Sequence, residues 1–184
     1  MPYAEIADFV EGPAHYYGIL EKHFRTSFYD VENTTNGPAN WRTVKFELPE
    51  PGHIYDVRER KYLGFIREGE VPLGACMAKL IAALPYKIEG VALESAVKRR
   101  PLRALTYEIR ILASSKEKAV HAVNLQVFDP TGMAVKVYSG PILIRDGQGR
   151  GEIVLALDDP PGKWTLKATE AVSGLGATAP VNLK

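Results

Sequence analysis

The sequence predicts an all-β protein built as two consecutive antiparallel β-sandwich domains. Three observations carry that expectation. Apolar and polar residues alternate with period two in several runs, the pattern of a strand with one buried and one wet face. Turn chemistry rich in Gly, Pro and Asp separates those runs every 10–17 residues in the second half of the chain, the spacing of an antiparallel sandwich. The chain has 184 residues, a length that suits two small domains. We place them at residues 1–90 and 91–184, with the seam near Glu89 to Val97.

Taken in order, residues 1–11 read either as a strand or as a loose lead-in. Phe28 to Trp41 is polar, contains Asn36-Gly37-Pro38, and reads as a long loop. Val44, Phe46 and Leu48 alternate with Lys45 and Glu47 and define a strand. Gly74 to Leu84 lacks alternation. Its alanines favour a helix, and a buried strand ending at Pro85 competes with that reading. Leu105, Tyr107, Ile109 and Ile111 alternate with Thr106, Glu108 and Arg110, and Val123, Leu125 and Val127 with Asn124 and Gln126. Asp129-Pro130-Thr131-Gly132 reads as a tight turn, because Pro130 presets φ and Gly132 tolerates a positive one. Asp146-Gly147-Gln148-Gly149 turns between strands over Pro141–Arg145 and Gly151–Leu157. Asp158-Asp159-Pro160-Pro161-Gly162 interrupts the chain before a strand carrying Trp164, Leu166 and Ala168, and Val181 and Leu183 alternate in the tail.

Composition excludes several classes. Hydrophobic residues make up 46% and charged residues 24%, a globular balance. The net charge of +1 gives no whole-chain drive toward nucleic acid or an acidic membrane. No apolar run approaches the roughly 18 residues of a membrane span, and Met1–Gly12 does not read as a signal peptide. The single cysteine, Cys76, rules out an internal disulfide and reads as a small buried hydrophobe. Residues 1–90 hold 10 Lys+Arg against 13 Asp+Glu, and residues 91–184 hold 13 against 9, so the halves differ in sign.

No catalytic or metal-binding constellation is read from the motifs. His15, His23, His53 and His121 stand in no ligand spacing, and no serine lies in a G-x-S-x-G elbow. Asp129, Asp146, Asp158 and Asp159 fall in turns, where oxygen ligands could bind calcium. Asp favours turns for backbone reasons as well, and no D-x-D-x-D-G loop is present. Gly147-Gln148-Gly149-Arg150-Gly151 lacks the Lys-Ser/Thr of a phosphate loop and reads as a hairpin turn. The basic group Lys98, Arg99, Arg100 and Arg103 has no interleaved aromatics to stack bases, so it reads as a charged strand edge. Asn33-Thr34-Thr35 has the N-glycosylation pattern. Tyr16, Tyr17, Phe28, Tyr29, Trp41, Tyr55 and Tyr62 concentrate in the first half. Aromatic side chains of this kind fill cores, and exposed they form platforms for sugar rings. The candidate carbohydrate-binding residues are Trp41, Tyr17 and Tyr29.

Two stretches carry a resemblance. His53-Ile54-Tyr55-Asp56-Val57-Arg58, then Lys61-Tyr62-Leu63-Gly64, then Leu84-Pro85-Tyr86 resembles the C-terminal region of large bacterial beta-galactosidase-like proteins. There a "YDVR–KYLG" hairpin lies in a non-catalytic sandwich after the catalytic barrel, which implies that Ala78–Leu84 is a strand. Val127-Phe128-Asp129-Pro130-Thr131-Gly132, with Asp158 to Leu166, is similar to the immunoglobulin-like, macroglobulin-type domain that often follows. The resemblance implies an immunoglobulin-like second domain whose Trp164 enters the core. It covers about residues 42–172, and its motifs are turns and core anchors, which specify fold better than activity.

The functional expectation is therefore a non-catalytic accessory module pair of a larger glycoside-hydrolase-like protein, serving packing, spacing or protein interaction. No enzyme activity, cofactor or metal is expected. The expected partner is an upstream catalytic domain of a parent polypeptide or its oligomer, with neither nucleic acid nor membrane insertion. The resemblance implies an extracytoplasmic place. The alternative is a carbohydrate-binding module that takes polysaccharide on the first-half aromatics.

Overall fold

Alternation is realised as strand almost throughout. The computed structural model describes residues 4–21, 42–73, 78–99 and 102–184, and over these it is all-β and antiparallel. Apart from strands it holds a single three-residue 3-10 turn, Lys136–Tyr138, among the described residues. The chain divides into two units, Met1–Tyr86 and Lys87–Lys184. Glu89 to Val97 lies within a strand of the second unit. The loop expected over Phe28–Trp41, the Asn33 sequon, His23, Cys76 and Arg100 lie outside the described residues.

In the first unit β1 (Ala4–Glu11), β2 (Ala14–Glu21), β3 (Arg42–Asp56), β4 (Lys61–Leu73) and β5 (Lys79–Leu84) form one sheet in the order β1-β2-β5-β3-β4. Residues 1–11 thus contribute a strand, and the segment before Pro85 is a strand against its alanine propensity. Both faces of β5 are used: Ile81, Ala82 and Leu84 are each at most 1% exposed. That removes the reason for alternation. The β3–β4 pairing jumps from Glu47↔Glu68 to Gly52↔Ile66. Leu48-Pro49-Glu50-Pro51 therefore bulge out opposite Arg67, whose Nε donates to the Leu48 carbonyl at 3.1 Å. Two prolines cannot donate to a ladder, so pairing breaks where they stand. Phe46, Leu48, Val71 and Leu73 from one side of this bulge pack with Ile19, Ile54 and Ile81 from the other. The two layers of this core are two halves of one continuous sheet.

The "YDVR–KYLG" segment forms the β3–β4 hairpin, with Asp56↔Lys61 as its last pair. Asp56 Oδ1 accepts from the backbone N–H groups of Arg58 and Glu59, both at 3.1 Å, and so closes the turn. Its other oxygen accepts from buried Lys79 Nζ at 3.0 Å.

The second unit holds β6 (Ile88–Lys98), β7 (Ala104–Ala113), β8 (His121–Phe128), β9 (Gly140–Ile144), β10 (Gln148–Val154), β11 (Gly162–Glu170) and β12 (Gly176–Leu183). They form a three-stranded sheet, β10-β7-β6, and a four-stranded sheet, β12-β11-β8-β9. The alternating residues point inward: Leu105, Ile109, Val123, Val127, Trp164, Leu166 and Ala168 are all fully buried. Trp164 Nε1 donates to the Pro160 carbonyl at 3.0 Å, which satisfies its one polar atom. In the Asp129 turn, Oδ1 accepts from the Thr131 hydroxyl, the Thr131 N–H and the Met133 N–H. The Asp146-Gly147 turn has positive φ at both residues, 53° and 72°, as a type I′ turn requires. It carries the chain from β9 in one sheet to β10 in the other.

Candidate functional site

Of the three candidate binding residues, Tyr17 is described; Trp41 and Tyr29 lie outside the described residues. Tyr17 stands on β2, one strand from the sheet edge. The β1–β2 hairpin turns at Gly12-Pro13, with Gly12 at φ 55° in the first central position. From there strand geometry places His15 and Tyr17 on the same face, two residues apart. Register aligns His15 with Ala83 and Tyr17 with Ile81 of β5. Tyr17 packs against the Ile19, Ile54 and Ile81 core. The His15 and Tyr17 rings stack with centroids 5.9 Å apart and planes at 13°.

These two rings line a cleft of about 280 Å³. The β3 bulge supplies one wall through Pro49, Glu50 and Pro51, and Pro13 and Pro85 close the ends. Gly52 brings the strands together at its base, where a Cβ would meet the Leu84 carbonyl oxygen at 3.3 Å. His15 Nδ1 lies 3.2 Å from Asp8 Oδ1, an exposed pair that fixes the ring orientation. Burial first, and the Asp8 carboxylate second, raise the Tyr17 phenol above its ordinary 10.0, so it remains a hydrogen-bond donor at neutral pH. Chemically the cleft offers a flat aromatic face, apolar proline walls, an imidazole and the Glu50 carboxylate.

His15 was not singled out as a binding residue in the sequence, although His-x-Tyr on one strand face could have marked the stack. A second aromatic patch lies on β3 and β4. His53 Nδ1 and Tyr62 Oη are 2.9 Å apart, and the exposed Phe65 ring sits 5.0 Å from His53. Tyr55 beside them is buried.

Several other polar groups hold structure. Lys98 pairs with Glu152 at 2.6 Å. Arg103 donates to the carbonyls of Ala156 and Asp159 at 2.7 and 3.1 Å, clasping the loop before β11. Asp159 Oδ2 accepts from the Tyr138 hydroxyl at 2.6 Å and the Ala156 N–H at 2.8 Å. His121 Nδ1 lies 3.1 Å from Glu170 Oε1, with both side chains fully buried. Burial alone would raise the Glu170 carboxyl. Hydrogen bonds from His121, the Ser173 hydroxyl and the Ser173 and Val172 N–H groups outweigh it and hold the group below its ordinary 4.5. Among the described residues no three His, Cys, Asp or Glu side chains gather as a metal-holding group. No helix there is long and apolar enough to cross a membrane, which says nothing of strands.

No family model and no curated protein matches the chain. Solved structures do. A Bacteroides fragilis chain provisionally named a beta-galactosidase aligns with 97% of this chain and 34% of its own length, at 11% identity and a TM-score of 0.34. A Parabacteroides merdae beta-glucuronidase aligns with 98% of this chain and 29% of its own length, at 13% identity and 0.33. Bacteroides uniformis beta-glucuronidase 2 aligns with 96% and 27%, at 10% identity and 0.35. The chain therefore spans about a third or less of these proteins. Likeness at this level carries no argument about chemistry.

Proposed function

We propose that this chain is a non-catalytic accessory pair of β-sandwich domains belonging to a larger glycoside-hydrolase-like protein. Its work is packing, spacing or interaction, with an upstream catalytic domain or an oligomer of the parent as partner, in an extracytoplasmic compartment. The observation that supports this reading is the use of the motif residues. Asp56 closes a hairpin and pairs with buried Lys79. Asp129 ties its own turn, and Trp164 is fully buried with its N–H bonded. Most residues that carry the resemblance serve the fold, and Leu84 and Pro85 also border the Tyr17 cleft. A three-plus-four arrangement of antiparallel strands around Trp164 supports an immunoglobulin-like second domain. The test is an assay of the full chain against a panel of aryl glycosides. We expect no turnover; turnover that survives repurification and is abolished by Glu50→Gln or His15→Ala overturns the proposal.

A second reading is favoured by the Tyr17 cleft. Stacked rings beside a carboxylate and an imidazole suit a saccharide, whose CH face stacks on an aromatic while its hydroxyls find acceptors and donors. Retention on a polysaccharide panel that is lost in Tyr17→Ala would make the chain a carbohydrate-binding module. The Trp41→Ala variant tests the other candidate in the same experiment.

A further inference from the structure

We infer that strand β1 is a docking edge for an extended segment that alternates basic and apolar residues, joining the first sheet as a sixth strand. Among the described residues β1 pairs only with β2 and so ends the sheet. Its eight residues pair without a register shift, from Ala4↔Glu21 to Glu11↔Ala14, leaving the outer row of backbone groups straight. Side chains along it are exposed, with Ile6 at 62%, Phe9 at 61% and Val10 at 60%. Natural sheets guard such edges with proline, charged side chains, lysine above all, bulges or short strands. The other edges here carry those guards. β4 has Lys61, Arg67 and Pro72, β6 has a register shift at Ile88/Gly90 and Lys98, β10 has Arg150, β12 has Pro180, and β9 is five residues long with Pro141. β1 has no proline, bulge or basic residue: its charged residues are all acidic, Glu5, Asp8 and Glu11, a guard that repels only a strand of like charge.

Those acids decide the occupant. A second copy pairing antiparallel about Asp8 would match Ile6 with Val10 and Ala7 with Phe9, which is the apolar register. The same register sets Glu5 against Glu11 twice and Asp8 against Asp8, and like charges directly opposite one another oppose pairing. A partner strand with lysine or arginine at those three positions keeps the apolar matches and turns each repulsion into attraction. Main-chain hydrogen bonds would supply affinity and side chains specificity.

The test uses the full chain and two acetylated octapeptides rich in valine. One has lysines spaced as Glu5, Asp8 and Glu11; the other has glutamates there. Binding is read by fluorescence anisotropy, and its place by amide hydrogen exchange over Ala4–Glu11. We expect the lysine peptide to bind at least about tenfold more tightly than its counterpart, to slow exchange in β1, and to weaken with salt. Glu11→Lys, an exposed substitution, makes Glu5 and residue 11 complementary across the two-fold axis. It should weaken the lysine peptide and produce a concentration-dependent dimer. Equal affinity or no binding for the two peptides, or binding that leaves β1 exchange unchanged, overturns the proposal. Dimerisation of the unaltered chain through β1 overturns it too, in favour of a second copy.

Discussion

Replacing Trp164 with alanine should lower the stability of the second unit and leave the transition of the first in place. Trp164 is fully buried on β11, between Leu166 on its own strand and Val181 across the ladder, with the Tyr138 ring 6.2 Å away. Truncating a buried aromatic to alanine costs about 3–5 kcal/mol, from lost transfer energy and the cavity left behind. The Pro160 carbonyl, on an exposed residue, regains a partner in water, so loss of the Nε1 bond adds little. A domain of this size holds about 5–15 kcal/mol of stability. Each kcal/mol is worth about 4–8 °C, so the second unit should melt of order 20 °C lower while the first keeps its own transition. Differential scanning calorimetry of the full chain reads both. Amide exchange at Val123, Val127 and Leu166, compared with Ile19, Ile54 and Ile81, assigns each transition to its unit. Trp164→Phe, which keeps most of the ring, should move the second transition far less. One cooperative transition shifted as a whole, with protection lost equally in both sets, refutes independent folding.

Acid should act on the second unit through Glu170. Its carboxyl is held below the ordinary 4.5 in the folded state. The stabilisation is therefore complete above the unfolded-state pKa and is lost as pH falls through the lower folded one. Glu170→Gln should flatten that acid limb in denaturant titrations between about pH 5 and pH 2, where the parent chain loses stability. A parent curve that is flat over this range contradicts the assignment. Gly176→Ala should destabilise the β11–β12 ladder by about 1–3 kcal/mol, because a Cβ there would stand 2.5 Å from the Ala168 carbonyl oxygen. A thermal shift indistinguishable from that of Ala177→Ser would show that the strand end moves aside freely.

Much of the second unit was legible because its strands have one wet face. The alternations at 105–111, 123–127 and 164–168 each mark a strand and also name its buried side. The Asp-Gly and Asp-Pro-Thr-Gly turns follow from φ requirements that few residues meet. The first unit was less legible for the same physical reason. β5 is buried on both faces, so its sequence Lys-Leu-Ile-Ala-Ala-Leu has no period to read. The fold-over at Leu48–Pro51 depends on which strands lie opposite one another, and pairing over that distance leaves no local trace except two prolines. The Tyr17 cleft is assembled from three strands distant in sequence, and only the His15-x-Tyr17 spacing was local.

The buried ion pair of the first unit bears on how that less legible sheet finds one register. Asp56 pairs with Ile81 of β5, which puts Lys79 on the same sheet face two residues away, where its Nζ meets Asp56 Oδ2 at 3.0 Å with both side chains 6% exposed. Because β5 is apolar on both faces, a one-residue slip would lose little hydrophobic burial. It would, however, turn Lys79 to the opposite face, away from Asp56 and from Glu59 Oε1 at 3.4 Å, and leave two buried charges unpaired with each other, at several kcal/mol. The pair thus discriminates between registers that apolar packing alone leaves close in energy. Lys79→Met should cost about 3–5 kcal/mol, since it strands Asp56. Asp56→Asn combined with Lys79→Met keeps the turn-closing oxygen and removes both charges, so it should return to within about 1 kcal/mol of the parent. Amide exchange in β5 should nonetheless rise in that double variant, because slipped pairings become accessible. If the double variant is as unstable as Lys79→Met alone, the stranded charge is not the source of the loss. If it is stable and β5 exchanges no faster than in the parent chain, register is held by packing and the ion pair has no part in it.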